Sequence, residues 1–246
     1  MKKVALITGS KGGIGSAISC QLVKDGYRVI ATYFTGNDQC ALDWFQEKQF
    51  TEDQVRLFEL DVTSTEECAE RLSQLLEEEG TIDVIVNNAG ITRDSMFKKM
   101  SSQSWKEVID TNLNSVFNVT QPLFSAMCEK KGGRVINISS VNGLKGQIGQ
   151  TNYSAAKAGM IGFSKALAAE GARSGVTVNV IAPGYTATPM VEEMRPEVLA
   201  SIVQQIPMLR LAKPEEIAQA VSYLASDAGA YITGETLSIN GGLYMH

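Results

Sequence analysis

Apolar, β-branched runs recur along the chain and alternate with stretches whose apolar residues fall about every 3.6 positions. The runs Val4–Thr8, Arg28–Tyr33, Val55–Leu60, Val84–Asn87, Arg134–Ser139, Val176–Ile181 and Thr236–Ile239 predict strands. Between them, Ile14–Lys24, Ser64–Glu79, Ser104–Met127 and Asn152–Ala172 predict helices. Strands that are apolar on both faces and separated by helices imply a parallel sheet covered on each side. No linker, repeat or low-complexity tract breaks the series, so residues 1–246 are expected to form one doubly wound α/β domain. Ligands of such sheets bind beyond the carboxyl ends of the strands, where strand order reverses. Chemistry is therefore expected at Thr8-Gly9, Asp61-Val62, Asn87-Asn88-Ala89-Gly90, Ser139-Ser140 and Pro183-Gly184.

After the first strand the chain reads Thr8-Gly9-Ser10-Lys11-Gly12-Gly13-Ile14-Gly15 and passes into a helical pattern. This is the arrangement of a Rossmann-type dinucleotide site. Gly9 permits a tight turn, Gly13 lets backbone approach a pyrophosphate, and Gly15 lets the helix pack close to the sheet. The helix N-terminus then faces the phosphates. The second strand ends Ala31-Thr32-Tyr33-Phe34-Thr35, without the acid that grips the ribose 2′-hydroxyl of NAD. That leaves room for the extra phosphate of NADP(H), which is the expected cofactor. No arginine follows the strand, and Lys11 is the nearby cation.

Composition removes several alternatives. The formal charge of -5 supplies no field for nucleic acid or an anionic membrane, and neither partner is expected. Cys20, Cys40, Cys68 and Cys128 are scattered and form no CxxC pair. This speaks against zinc and disulfides, and for a reducing, cytoplasmic setting. The apolar run after Met1-Lys2-Lys3 stops at Thr8-Gly9, too short for a signal peptide or a membrane span. The only histidine is His246, the last residue. Histidine-based triads, histidine dehydrogenases and histidine-rich metal sites are thereby excluded; acid–base work falls to Tyr, Lys, a carboxylate or the cofactor.

Tyr153 and Lys157 stand at i and i+4 of a predicted helix, one turn apart on one face. Such pairs are commonly surface packing, and a serine at a strand end commonly caps a helix. Five motifs in order change the weight of these readings: the glycine loop, Asn87–Gly90, Ser140, Tyr153-Ser-Ala-Ala-Lys157 and Pro183-Gly184. With them, nearly the whole chain resembles the short-chain dehydrogenase/reductase family. The resemblance implies a hydride-transferring enzyme with catalytic Ser140, Tyr153, Lys157 and Asn112, the last holding a water in a proton relay to the lysine. Ser139 points to the opposite side of the strand end. A non-enzymatic nucleotide sensor would have no reason to keep all four catalytic residues.

An unperturbed tyrosine titrates near ~10. Bringing it toward neutrality takes roughly 4 kcal/mol, which Lys157 and the positively charged oxidised cofactor are expected to supply. Tyr153 would then exchange a proton with the substrate oxygen while Ser140 donates a hydrogen bond to it.

The resemblance also assigns Gly9, Lys11, Gly12, Gly13, Ile14, Gly15, Asp61, Val62, Asn88, Ala89, Gly90, Pro183, Gly184, Thr186 and Thr188 to the cofactor, together with Tyr153 and Lys157. Residues 188–213 correspond to the family's substrate lid. Ile91–Asp94, Asn142–Tyr153 and the end Asn240–His246 are similar to the acetoacetyl-CoA reductases of polyhydroxyalkanoate synthesis. In those enzymes Asp94, Gln147, Gln150, Tyr185 and Arg195 would line an acyl-CoA substrate. Ile148 departs from the aromatic residue common at its position. The rival within the family is 3-oxoacyl-acyl-carrier-protein reductase, whose acidic carrier Lys130, Lys131 and Arg173 could dock. A homotetramer is implied by the family. The small residues Ala155, Ala156, Ala158, Gly159, Gly162, Ala166, Ala168 and Ala169 allow close helix approach, either to another chain or to the chain's own sheet.

Overall fold

The apolar runs become seven strands in the computed structural model, which describes residues 2–192 and 194–245. They are β1 (Val4–Ile7), β2 (Arg28–Tyr33), β3 (Val55–Glu59), β4 (Val84–Asn87), β5 (Gly133–Ile138), β6 (Val176–Pro183) and β7 (Thr236–Ile239). All neighbours pair in parallel, in the order β3-β2-β1-β4-β5-β6-β7. Every residue of β1, β4 and β6 is buried, as expected for strands covered on both faces.

The helices are α1 (Gly13–Lys24), α2 (Asp38–Glu47), α3 (Thr65–Glu79), α4 (Ser102–Ile109), α5 (Ser115–Glu129), α6 (Val141–Lys145), α7 (Thr151–Gly171), α8 (Pro189–Glu192), α9 (Pro196–Gln205) and α10 (Pro214–Ala225). Two apolar clusters hold them to the sheet. One joins Ile7 and Val29 to Ile18, Leu22 and Val221 of α1 and α10. The other joins Leu6 and Val178 to Leu72, Leu75 and Leu123 of α3 and α5. Fully burying each such side chain is worth roughly 1.5–3 kcal/mol, so the helical periodicity is the imprint of these two faces.

The expected helix Ser104–Met127 is not continuous. A π-helical turn over Asp110–Asn114 separates α4 from α5 and contains Asn112. The chain runs outward from β1 to β3, then crosses back to β4 on the other side of β1. Strand order reverses between β1 and β4, and the glycine loop and Asn87–Gly90 follow those two strands. None of the described helices is long and apolar enough to cross a membrane. His246 lies outside the described residues, as does Glu193 of the expected lid.

Candidate active site

The nucleotide end is built by close approach of backbones. Gly9 has φ +64°, a conformation that side chains with a Cβ resist. A Cβ on Gly15 would stand 2.2 Å from the Gly9 carbonyl oxygen, so α1 can begin there only with glycine. Thr8 Oγ1 accepts from the backbone N–H groups of Asn88 and Ala89, each at 3.0 Å. In return the Asn88 amide donates to the carbonyls of Thr8 (2.9 Å) and Gly9 (3.1 Å). α1 has no side-chain cap at Gly12, leaving its first N–H groups to a ligand's phosphates. This cradle fits a dinucleotide.

Gly13 differs from expectation in one respect. A Cβ there would meet Thr188 Cγ2 at 2.6 Å, so its bareness serves contact with the segment after β6. Asp61 and Val62 follow β3, where the Asp61 carboxylate accepts from the Thr63 N–H and hydroxyl at 2.9 and 2.7 Å. Lys11 is exposed and borders a separate groove with Gly13, Ser16 and Lys48. Sequence reasoning missed an acid here: Asp38, the first residue of α2, accepts from the Tyr33 hydroxyl at 2.9 Å.

A cleft of about 340 Å³ lies beyond the strand ends and gathers Ser140, Tyr153 and Lys157 with Asn88, Gly90, Gly184 and Thr188. Lys157 is 3% exposed. Its Nζ donates to the Ile138 carbonyl at the end of β5 (2.7 Å) and sits 5.7 Å from the Tyr153 ring centre. Burial lowers its pKa to about 8. Burial likewise raises that of Tyr153, while the Ser140 side chain pulls it back down in smaller measure. The expected lowering of the tyrosine by the lysine is therefore not what the protein itself produces. Leaving water penalises tyrosinate and ammonium alike, so each member of the pair is driven toward its neutral form.

Ser140 caps α6 and belongs to the cleft as well. Its Oγ accepts from the Asn142 N–H at 3.1 Å, which leaves the hydroxyl proton for an oxygen in the cleft. Ser139 is turned away, donating to the Lys157 carbonyl at 2.8 Å. Asn112 is fully buried and its side chain clamps Ile91: Oδ1 accepts from the Ile91 N–H (2.8 Å) and Nδ2 donates to its carbonyl (2.9 Å). Both polar atoms of the side chain are thus satisfied within the protein. The Asn112 backbone lies in the π turn. A Cβ on Gly90 would lie 3.3 Å from Asn112 Oδ1 and 3.6 Å from Lys157 Nζ, so both flank this glycine.

Of the residues expected at the substrate, Asp94, Gln150 and Tyr185 line the cleft and Gln147 and Arg195 do not. Gln147 is occupied by Lys145 Nζ at 2.9 Å, and Arg195 is exposed at the start of α9. Asp94 accepts from Gln150 Nε2 (2.8 Å), and Gln150 Oε1 accepts from Asn142 Nδ2 (2.9 Å). Asn142 was not among the expected substrate residues.

A family model described as short chain dehydrogenase matches residues 3–199. The chain is 59% identical over 245 residues to a protein from Acinetobacter sp. (strain RA3849) named acetoacetyl-CoA reductase, covering 100% of this chain and 99% of the relative. A protein of the same name from Allochromatium vinosum is 50% identical over the full length of both chains. The 3-oxoacyl-[acyl-carrier-protein] reductase FabG of Escherichia coli (strain K12) is 45% identical, over 99% of this chain and 98% of the relative.

Proposed function

The chain belongs to the short-chain dehydrogenase family, and from that premise we propose that it reduces acetoacetyl-CoA to (R)-3-hydroxybutyryl-CoA with NADPH. The observation that carries the reaction type is the meeting of Ser140, Tyr153 and Lys157 in one cleft where strand order reverses. The names of the full-length relatives support the substrate.

Bound NADPH supplies the hydride. The Ser140 hydroxyl, its lone pair held by Asn142, donates to the ketone oxygen as negative charge develops there. Tyr153, kept protonated by burial, gives the proton that completes the alcohol. Lys157 would hold the nicotinamide ribose and refill the tyrosine, with the Asn112 side chain across Gly90 from it. The Gly9–Gly15 cradle, Asp61-Val62 and Asn88–Gly90 hold the rest of the cofactor, and Pro183–Thr188 its nicotinamide end. Residues 188–213 act as the lid.

Two features bear on the finer assignments. The strand-end argument favours NADPH, and Asp38 opposes it by placing a carboxylate near Tyr33. Asp38→Asn is accordingly expected to raise the kcat/KM ratio of NADPH over NADH severalfold; an unchanged or lower ratio counts against phosphate at this end. On α7, Ala155, Ala158, Gly162, Ala166 and Ala169 form an exposed stripe, with Phe97 and Phe117 also bare. Ala156 and Ala168 are buried inward and Gly159 packs on Leu113. The stripe supports assembly of chains, as a homotetramer, through this face.

The rival carrier-protein reading rests on the E. coli relative. Of the basic residues it would use, Lys130 is already bound by Asp83 and Thr81. The deciding measurement is kcat/KM with NADPH for acetoacetyl-CoA against acetoacetyl-carrier protein. The CoA thioester is expected to win by tenfold or more, about 1.4 kcal/mol. A carrier substrate winning by that factor would make fatty-acid synthesis the better reading, and an (S) product would reverse the binding pose.

A further inference from the structure

Strand order places two halves on either side of the glycine loop that follows β1. Ser140, at the end of β5, marks the reacting side, with Tyr153 and Lys157 beside it. The half of a dinucleotide that does not react must extend the other way, over β2 and β3. The segment that ends β3 there, Asp61–Thr65, is folded mostly on itself. The Asp61 carboxylate accepts from the Thr63 N–H and hydroxyl. Its carbonyl accepts from the Ser64 N–H at 3.1 Å, and its own N–H donates to Glu67 Oε1 at 3.1 Å. These bonds give the segment a shape without fixing its place against the rest of the protein.

One side chain from another element reaches it. Asn118, on α5, is 4% exposed. Its Nδ2 donates to the Val62 carbonyl at 3.0 Å, and its Oδ1 accepts from the Thr65 hydroxyl at 3.0 Å. Among the described residues, no other hydrogen bond of Asp61–Thr65 leaves the segment and the helix that follows it. The amide cannot be turned over, because the Val62 carbonyl only accepts and would then face an oxygen. The same stretch of chain grips the neighbouring strand end. Thr120 Oγ1 accepts from Asn87 Nδ2 at 3.0 Å, and Asn112, just before α5, holds both backbone groups of Ile91. The start of α5 is thus one bar to which the ends of β3 and β4 are both tied.

We propose that Asn118 is a positioning residue for the adenosine half of the cofactor, setting the Asp61–Thr65 segment at its distance from the reacting side. It acts through Val62 and Thr65 and needs no contact with the cofactor. The inference rests on the reading of the cleft as a dinucleotide site. Loss of the clamp should loosen one end of that site and spare the other, which a general loss of packing would not do.

The test uses the cofactor-free protein as wild type, Asn118→Leu and Thr65→Val. Leucine keeps the size of asparagine and removes both bonds. Valine at Thr65, an exposed position, removes only the outer one. Calorimetric titration reads the affinity for ADP, the adenosine half with its phosphates, and for NMNH, the nicotinamide half. Asn118→Leu is expected to weaken ADP about tenfold and to leave NMNH within about twofold. Thr65→Val should weaken ADP about threefold. Hydrogen exchange gives a readout without a ligand. In Asn118→Leu the Thr63 and Ser64 amides should exchange about tenfold faster, and those of Asn88 and Ala89 at the wild-type rate. Equal weakening of ADP and NMNH would overturn the proposal and make Asn118 a support of the whole fold. Wild-type ADP affinity in the leucine variant would overturn it as well; faster exchange alongside would mean that adenosine lies elsewhere. Should Asn118→Leu fail to fold, Thr65→Val decides, since unchanged ADP affinity there rejects the clamp. A wild type that binds neither ADP nor NMNH would reject the dinucleotide reading itself, a result distinct from all of these.

Discussion

Tyr153→Phe is expected to lower kcat for ketone reduction by about 10³-fold, within the range for loss of a general acid. The substitution removes one oxygen. The ring that packs 5.7 Å from Lys157 Nζ stays, and so does the Ser140–Asn142 contact. The cradle around Gly9 and Gly15 is built by other residues, so the dissociation constant for the cofactor should change by less than about twofold, under half a kcal/mol. A variant keeping more than a tenth of wild-type turnover, with chemistry limiting the rate, would remove Tyr153 from the proton-transfer role. The pH profile carries a second check. Because burial raises the pKa of Tyr153, the proton donor persists through neutrality, and the first decline of reduction with rising pH is expected near 8, from Lys157 and not from the tyrosine. A profile falling with a midpoint near 7 would instead require the lowered value anticipated from the lysine and the oxidised cofactor together.

Lys157→Met should damage two functions and relieve one burden. Turnover is expected to fall about 10²–10⁴-fold. Cofactor affinity should fall about tenfold or more, as a charge-assisted hydrogen bond to the ribose is lost. Stability should move differently with pH. The lysine titrates at 10.5 when unfolded and at about 8 in the folded protein, so between these values the unfolded chain binds more protons and wild-type stability rises with pH. The penalty is fully present below about 8 and gone above about 10.5, and amounts to about 3 kcal/mol. Methionine carries no such penalty. The variant's stability relative to wild type should therefore drop by up to that amount from pH 8 to 10.5, as read by denaturant unfolding in the absence of cofactor. A difference independent of pH would show that Lys157 is not held in a charge-averse site.

The sheet was legible because its strands are buried on both faces. Val84–Asn87 and Arg28–Tyr33 have the same bounds in sequence and structure, and β6 runs only two residues beyond the expected end. Tyr153 and Lys157 were legible because a helix turns four residues into one face. The π turn at Asp110–Asn114 was not, since its residues carry the same apolar spacing as the helices on either side. The burial of Tyr153, which raises its pKa in the protein without cofactor, was not legible, because charge proximity can be counted along a helix whereas burial depends on what folds over it. Asp38 and Asn142 were overlooked for a related reason. Each matters through a partner, Tyr33 for the first and Gln150 for the second, whose geometry only the fold supplies. Polar residues near strand ends, two positions after Ser140 for instance, were the available hint.

Thr8 and Asn88 lace the first and fourth strands together at their carboxyl ends, through two bonds in each direction. Their four contacts immobilise the segments that a dinucleotide must find already in place. Ordering a backbone residue costs about 1–2 kcal/mol of conformational entropy. Here that loss is incurred when the chain folds, once in the life of the molecule. A looser crevice would incur it again at every catalytic cycle, as weaker capture of each fresh cofactor.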